Sequence, residues 1–355
     1  MNHVALVMIA RDESRCIERC LTSARAWVDS MIVLDTGSTD DTRERAARAG
    51  ALVHCIPWQE DFAAARNAAL AHADADWSLV LDADEWIVGG ARALQELRSL
   101  PPAYLGVVTV SNLFGADIAN ASESPSWIPR ILPRGVRYAG RIHEQPESPL
   151  PRRRMALCVR HDGYLDAAMR AKQGRNGRLL QRSLAEHPDD AYLHYQYAKD
   201  LELCGQYAQA LPHYERAFAG ASATAVWRHD LVLRLIFTLK KTSRFAQGLA
   251  LAQAESPRWA DSPDYFFALG DLLLDWAAAE PARGAALAPL IESNWLRAVA
   301  IGERPELPDS VRGRGSYLAA HNLAVLYAGL QRDAQAECWR TRAAQMRGAP
   351  PPPTR

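Results

Sequence analysis

The chain has 355 residues, which is long enough for two domains of ordinary size. Its 41 basic residues balance its 41 acidic residues, and a formal net charge of zero argues against bulk electrostatic binding of nucleic acid. The six cysteines form no Cys-x-x-Cys pair, so we predict neither a zinc site nor a disulfide framework, and a cytoplasmic location fits. No apolar run approaches the ~20 residues of a membrane helix, and the first run lacks the basic flank of a signal peptide.

Short apolar runs alternate with helix-like segments over roughly the first 80 residues. The runs are rich in Val, Ile and Leu and are typical of buried strands; they lie at residues 4–9, 31–34, 52–56 and 77–81. Such a βαβ series predicts an α/β domain with a Rossmann-like, mostly parallel sheet. Between the second and third runs, Ser38 and Asp41 stand in a capping-box relation that predicts a helix to about Ala49, closed by Gly50.

Polar residues follow three of these runs, at residues 11–13, 35–38 and 82–85. Ligands of parallel α/β sheets bind beyond the carboxyl ends of the strands, so we expect the three groups to share one site. No Gly-x-Gly-x-x-Gly follows the first strand and no Gly-x-x-x-x-Gly-Lys-Ser/Thr occurs in the chain. The sequence therefore disfavours a dinucleotide-binding site and excludes a P-loop.

The fourth run ends in Asp82-Ala83-Asp84. Residues i and i+2 of a strand share one face, so we expect the carboxylates of Asp82 and Asp84 to point together beyond the strand end. Two such carboxylates suit Mg²⁺ or Mn²⁺, which are often held by one or two carboxylates together with substrate phosphates. The alternative is an acidic strand-to-helix turn whose carboxylates cap the next helix.

Four segments of the first half together resemble one enzyme family. They are Ala10-Arg11-Asp12-Glu13, Val33-Leu34-Asp35-Thr36-Gly37-Ser38-Thr39-Asp40, Pro57-Trp58-Gln59-Glu60-Asp61-Phe62-Ala63-Ala64-Ala65-Arg66-Asn67 and Leu81-Asp82-Ala83-Asp84-Glu85. In this order and spacing they resemble family 2 glycosyltransferases of the GT-A fold, over residues 1–165. Within the family, the chain resembles bacterial peptide S-glycosyltransferases and lipopolysaccharide-core glycosyltransferases that also carry helical repeats.

The resemblance implies roles for particular residues. It implies that the nucleotide of a UDP-sugar is contacted by Arg11, Glu13, Asp35, Arg66, Asp82 and Ala83. In the same way it implies that Asp35 accepts uracil N3–H, that Asn67 supports the Arg66 segment, and that Asp84 ligates the metal. His161 is implied as a further metal ligand or a diphosphate contact. The alternatives are a helix-start carboxylate for Asp35, a solvated helix face for Arg66 and Asn67, and a structural histidine for His161.

The segment that contains Gly140, Ile142, His143 and Glu144 resembles the acceptor side of the family. An inverting transfer needs one base to take the acceptor proton, and we predict Glu144, with His143 as the alternative. A thiol acceptor would depend less on that base, because a thiolate forms more readily than an alkoxide. A plain surface loop is the other interpretation of this segment.

From about residue 166 the sequence changes to Ala- and Leu-rich helical patterns. Residues 190–218 match a tetratricopeptide repeat, with Ala198 and Ala210 where the paired helices cross and Gly205 in the turn. Further units follow, and residues 280–308 are expected to be an irregular break in the array. We predict an all-α tetratricopeptide-like repeat domain over residues 166–347 and a disordered proline-rich tail over residues 348–355.

Stacked repeats of this kind form concave surfaces suited to peptides, although a stabilising lid or a homodimer surface is equally compatible with the sequence. The sequence therefore predicts a metal-dependent, inverting glycosyltransferase that moves a sugar from a UDP-sugar to a peptide or protein side chain. A saccharide acceptor such as lipopolysaccharide core is the first alternative. A non-catalytic binding protein built on the repeats is the second.

Overall fold

The computed structural model describes residues 1–118, 122–165, 174–307 and 310–348. The chain divides into two compact units, Met1–Leu179 and Leu180–Arg355, and each is described by itself. The predicted domain boundary adjoins residues 166–173, which lie outside the described residues, as does the proline-rich tail from residue 349. Both therefore stay predictions.

The first unit is built on an eight-stranded sheet with the order β3-β2-β1-β4-β7-β6-β10-β5, beside a two-stranded sheet of β8 and β9. Its elements are β1 (Val4–Ala10), α1 (Ile17–Ala24), β2 (Ser30–Asp35), α2 (Thr42–Arg48), β3 (Leu52–Cys55), α3 (Phe62–Ala73), β4 (Trp77–Val80), β5 (Glu85–Gly89), α4 (Arg92–Glu96), β6 (Leu105–Gly115), β7 (Ser122–Pro133), β8 (Arg137–Ala139), β9 (Gln145–Glu147) and β10 (Arg152–Leu165).

The four predicted strands pair in parallel, with β1 between β2 and β4 and with β3 outside β2. Successive β1 side chains point to opposite faces, so Leu6 and Met8 enter one apolar core while Ala5 and Val7 enter the other. Burial on both faces explains why the run is continuously apolar. The α/β fold class with a GT-A-like, mostly parallel sheet is confirmed.

The second half of the sheet is mixed and was not predicted in detail. Strand β7 pairs antiparallel with both β4 and β6, while β10 runs parallel to β6 and antiparallel to β5. These pairings return the late strand β10 to the immediate neighbourhood of residues 82–85. They therefore bring residues far apart in sequence to one edge of the sheet.

The predicted capping box at Ser38 and Asp41 is wrong. Helix α2 begins at Thr42, and its N-cap Asp41 makes no side-chain capping bond. The Ser38 hydroxyl instead accepts a hydrogen bond from the backbone N–H of Asp12, at 2.9 Å, in the loop after β1. Gly50 does close this segment with a φ of +93°, as the sequence predicts.

The second unit is helical and tetratricopeptide-like, and most of its helices pack against the next helix along the chain. The helices are α5 (Arg175–Glu186), α6 (Ala191–Leu203), α7 (Tyr207–Gly220), α8 (Arg228–Lys241), α9 (Phe245–Glu255), α10 (Pro263–Ala279), α11 (Gly284–Ile301), α12 (Tyr317–Gly329) and α13 (Asp333–Gly348). The first of them, α5, begins before the division between the units at Leu179 and ends after it. Ala198 and Ala210 are fully buried between α6 and α7, and Gly205 takes a φ of +72° in the turn.

The predicted break at residues 280–308 is wrong for most of its length. Helix α11, Gly284–Ile301, occupies it and packs along α10. Trp295 of α11 is fully buried against Gly270 of α10, where a methyl group would lie 2.4 Å from the indole Nε1. The array therefore continues through this segment, because a glycine admits the indole at the crossing.

We predict that Gly270→Ala destabilises the protein by about 1–3 kcal/mol, because the added methyl group overpacks the contact with Trp295. Denaturant unfolding followed by tryptophan fluorescence measures the change. Gly329→Ala is the matched control, since nothing lies within 4 Å of its Cβ position at the end of α12. Equal stabilities for the two variants would contradict the prediction.

Candidate functional site

The loops after β1 and β2 are joined to each other at the carboxyl edge of the sheet. The backbone N–H of Thr39 donates to Asp12 Oδ1 at 2.7 Å, and that of Glu13 donates to the Thr42 hydroxyl at 2.8 Å. Asp12 takes a φ of +54° to allow this, while the Arg11 side chain remains half-exposed. The predicted nucleotide loop is thus fixed mainly through its backbone.

Asp35 is the last residue of β2 and is only 1% exposed. Its Oδ1 accepts hydrogen bonds from the backbone N–H groups of Gly37 at 3.0 Å and Ser38 at 2.9 Å. Its Oδ2 is buried and has no hydrogen-bond partner within the described ranges. A buried unsatisfied acceptor costs about 1–3 kcal/mol, so this oxygen is suited to a donor on a ligand.

Five charged side chains form one alternating chain at the same edge. Arg66 donates through Nη2 to Asp82 Oδ1 at 2.6 Å and through Nε to Glu144. Arg130 donates through Nη2 to Asp82 Oδ2 at 2.9 Å and also to Glu85. The order is therefore Glu144, Arg66, Asp82, Arg130, Glu85, and we call this set the charge chain.

Both arginines of the charge chain have a buried nitrogen that donates no hydrogen bond to any described residue. Arg66 is 6% exposed and Arg130 is 8% exposed. In the described part of the chain, Arg66 Nη1 and Arg130 Nε are buried without a hydrogen-bond partner. Each guanidinium can therefore donate once more, to a ligand or to water.

The charge chain sets the ionisation of its carboxylates. Burial raises the pKa of Asp82, but the guanidinium groups of Arg66 and Arg130 outweigh burial and hold that pKa well below its usual value. Burial raises the pKa of Glu85, and Arg130 only partly opposes the increase. Asp82 therefore stays charged at neutral pH, and its stabilising contribution is lost only as the pH falls below the usual range of a carboxyl group.

The two aspartates of Asp82-Ala83-Asp84 have different partners. Strand β4 ends at Val80, so both aspartates lie in a turn and the rule that places i and i+2 on one strand face does not apply. Asp82 contacts the two arginines, whereas Asp84 Oδ2 lies 3.3 Å from His161 Nε2. The expectation that the Asp82 and Asp84 carboxylates point together beyond the strand end is therefore wrong.

The Asp84–His161 pair is largely buried, with side chains 7% and 15% exposed. Strand β10 places His161 opposite Glu85 of β5, and the backbone N–H of Asp162 donates to the Asp84 carbonyl at 3.2 Å. Among the residues that the structure describes, no group of three or more His, Cys, Asp or Glu side chains could hold a metal ion. Asp84 and His161 are therefore a pair of potential ligands and not a complete metal-binding group.

Asn67 contacts the acceptor-side segment, whereas the resemblance implied support of the Arg66 segment, which stays a prediction. Its side chain donates to the Tyr138 carbonyl at 2.9 Å and accepts from the Tyr138 N–H at 2.8 Å, which fixes β8 on α3. The loop that follows β8 carries His143, with a φ of +53°, and Glu144. Ala83 is buried beside the two aspartates.

Arg130 and Glu85 are the site residues that sequence reasoning missed. Glu85 is visible as a third carboxylate after β4, and Arg130 stands in a Trp-Ile-Pro-Arg stretch, but neither pattern shows that they meet. The Arg130–Glu85 contact spans 45 positions and depends on how β5 and β7 are placed in the sheet. An arginine flanked by apolar residues in a strand is the available signal.

Residues 5–112 match the family Glycosyl transferase family 2, so the first unit carries a domain of this type. A TPR repeat-containing protein of Synechococcus elongatus is 37% identical over 211 residues, covering 54% of this chain and 51% of the relative. The SPbeta prophage-derived glycosyltransferase SunS of Bacillus subtilis is 24% identical over 280 residues, covering 73% and 64%. The chain thus spans between half and two thirds of the length of these relatives.

One similar solved structure is that of glucosyl-3-phosphoglycerate synthase from Mycobacterium tuberculosis with Mn²⁺, UDP and glucosyl-3-phosphoglycerate. Its sequence is 25% identical to this chain over the matched residues. The match covers 31% of this chain and 44% of that one, with a TM-score of 0.26, and supports neither fold nor function here. Separately, no helix in the described ranges has the length and apolarity needed to cross a membrane.

We predict that Arg130→Met lowers the free energy of unfolding by about 3–5 kcal/mol at pH 7, because it leaves the buried Glu85 carboxylate without its guanidinium. The loss should shrink at pH 5. Removing the guanidinium raises the pKa of Glu85 further, so the group can protonate in the folded state as the pH falls. Urea unfolding at both pH values measures the difference.

Arg134→Met is the control, because Arg134 follows the same strand but is 54% exposed, and little change is expected. The double variant Arg130→Met/Glu85→Gln should recover part of the stability. An Arg130→Met loss below about 1 kcal/mol, or one that is the same at pH 5 and pH 7, would show that the charge chain does not have the assigned energetic role.

Proposed function

We propose that the chain is a metal-dependent, inverting glycosyltransferase that moves a sugar from a UDP-sugar to a peptide or protein side chain. The observation that carries the proposal is the Asp84–His161 pair, which lies at the carboxyl edge of a domain of glycosyltransferase family 2 type. The relative SunS, which covers most of this chain, is named a glycosyltransferase. A cytoplasmic location and a homodimer formed through the repeats remain predictions.

The nucleotide side of the proposal begins at Asp35. Its buried, unpartnered Oδ2 matches a ligand N–H such as uracil N3–H. Arg66 contributes through its free Nη1 donor and through Asp82, which it orients toward the ribose. The backbone of the loop that contains Arg11 and Glu13 encloses the base and ribose, with Ala83 forming a small, buried floor.

Asp84 and His161 would hold Mg²⁺ or Mn²⁺ between them. Two protein ligands are few for an octahedral ion, and Mg²⁺ typically completes its shell with substrate phosphates and water. When bound, the ion neutralises the charge that develops on the departing diphosphate. The chain's own contribution is to keep the two ligands 3.3 Å apart and mostly excluded from water.

Glu144 is the proposed base, with His143 as the alternative from the same loop. The Glu144 side chain is 10% exposed, and its carboxylate accepts a hydrogen bond from Arg66 Nε. The Nη2 atom of the same guanidinium donates to Asp82. One guanidinium thus positions a donor-side and an acceptor-side carboxylate together. A base fixed in this way is oriented to take a proton from an acceptor hydroxyl as it attacks the anomeric carbon.

The acceptor proposal rests on the helical unit. Tetratricopeptide-like arrays present concave surfaces that bind peptides, and the Synechococcus relative is named as a TPR repeat-containing protein. A saccharide acceptor, such as lipopolysaccharide core, is the alternative within the same chemistry. A non-catalytic binding protein is the alternative outside it, and the intact Asp35 and Asp84–His161 arrangement favours the enzyme.

We predict that UDP binds in calorimetry only with Mn²⁺ or Mg²⁺ present, and that Asp84→Asn loses this metal-supported binding. Asp35→Asn should weaken UDP binding about 10–100-fold with the metal present, because a charge-assisted hydrogen bond contributes roughly 1.5–3 kcal/mol. Asp41→Asn, a half-exposed aspartate of the same loop region, is the control. Absence of UDP binding by the wild-type chain would contradict the proposal.

A donor panel separates the enzyme from the scaffold. With UDP-glucose, UDP-GlcNAc and UDP-galactose, we expect slow release of UDP from one donor even without acceptor, whereas a binding protein releases none. Glu144→Gln should lower kcat for transfer to a hydroxyl acceptor by about 10²–10⁴-fold with KM for the donor little changed. Equal kcat values for Glu144→Gln and wild type would assign the base elsewhere.

A further inference from the structure

A row of residues crosses four neighbouring strands at the candidate metal pair. His161 of β10 lies opposite Glu85 of β5 on one side and Asn112 of β6 on the other. Asn112 in turn lies opposite Ser124 of β7. Directly paired residues place their side chains on the same face of the sheet, so the Asn112 amide and the His161 ring meet.

The orientation of the Asn112 amide follows from its partners. Asn112 Nδ2 donates to the Ser124 carbonyl at 3.3 Å and to the Ser126 hydroxyl at 3.1 Å. Because a carbonyl oxygen can only accept, the NH₂ end of the amide must face Ser124. Oδ1 is therefore the end that faces His161 Nδ1, at 2.9 Å.

This orientation fixes the tautomer of His161. Asn112 Oδ1 can only accept, so Nδ1 of the imidazole carries the proton and donates it. Nε2 is then the ring nitrogen on the side of Asp84 Oδ2, 3.3 Å away, and is the one that would meet a cation there. Neighbouring ligands of an octahedral ion with ~2.1 Å bonds are about 3.0 Å apart, close to this separation.

We propose that Asn112 is a positioning residue for the metal site: it fixes the Nδ1–H tautomer and the ring orientation of His161, so that Nε2 faces a divalent cation shared with Asp84. The inference rests on the proposed role of Asp84 and His161 as metal ligands. Asn112 is 8% exposed and its amide is fully engaged, so the ring is held by a rigid group. Partners that orient a ligating histidine typically contribute 10–100-fold in metal affinity.

The first test measures Mn²⁺ binding with UDP present, from the electron paramagnetic resonance signal of free Mn²⁺. We expect Asn112→Leu to weaken Mn²⁺ binding about 10–100-fold, and Asn112→Asp, which keeps an acceptor at the position of Oδ1, to retain most of it. Ser111→Ala is the matched control on the same strand, because its hydroxyl bonds to Glu123 in an exposed position, and it should bind as wild type does.

The second test detects the tautomer directly, without metal or activity, from the ¹⁵N shifts of the His161 ring nitrogens. We expect a protonated Nδ1 in wild type, Asn112→Asp and Ser111→Ala, and loss of this preference in Asn112→Leu. The wild-type spectrum alone shows whether Nδ1 of His161 carries a proton, even if the Asn112→Leu variant fails to fold. A protonated Nε2 with a bare Nδ1 overturns the inference.

The two proposals fail in distinguishable ways. A wild-type chain that binds neither Mn²⁺ nor UDP overturns the proposed function itself. A wild-type chain that binds both, together with an Asn112→Leu variant that folds and binds Mn²⁺ as tightly, overturns the role of Asn112 and leaves the proposed function standing.

Discussion

The Asp82 carboxylate between two buried guanidinium groups is the interaction on which the site depends. Arg66 comes from α3 and Arg130 from β7, so the contact joins two elements to the end of β4. The same arginines extend to Glu144 and Glu85, which adds the loop after β8 and the start of β5. Taking such groups out of water is costly unless each charge has a partner, so the arrangement can persist only as a set.

Asp84 is not a member of the charge chain and lies beside His161. One aspartate of the Asp-x-Asp sequence is thereby held between two guanidinium groups, while the other lies where we propose a cation. The distinction follows from where β4 ends: a strand continued through Asp84 would have given both carboxylates the same surroundings. We therefore attribute the proposed separate roles of Asp82 and Asp84 to their different neighbours in one turn, two arginines for Asp82 and His161 for Asp84.

Local patterns in the sequence were enough to predict the parallel half of the sheet and the left-handed Gly50. Long-range contacts were not accessible in the same way. Ser38 resembles a helix cap, yet its hydroxyl is used by Asp12, 26 positions earlier. Arg130 lies among apolar residues, and only the pairing of β7 with β4 brings it to Asp82. Helix α11 was missed because its repeat is irregular in spacing, although Gly270 and Trp295 complement each other there.

The most direct test of the central claim is the anomalous scattering of manganese in a crystal of the full chain grown with UDP and Mn²⁺. The account predicts one peak within bonding distance of Asp84 and His161 Nε2, next to the diphosphate, with uracil N3–H on Asp35 Oδ2 and with Asp82 still held by Arg66 and Arg130. A manganese ion bound elsewhere, or nucleotide bound with those two side chains turned away from it, would contradict the account.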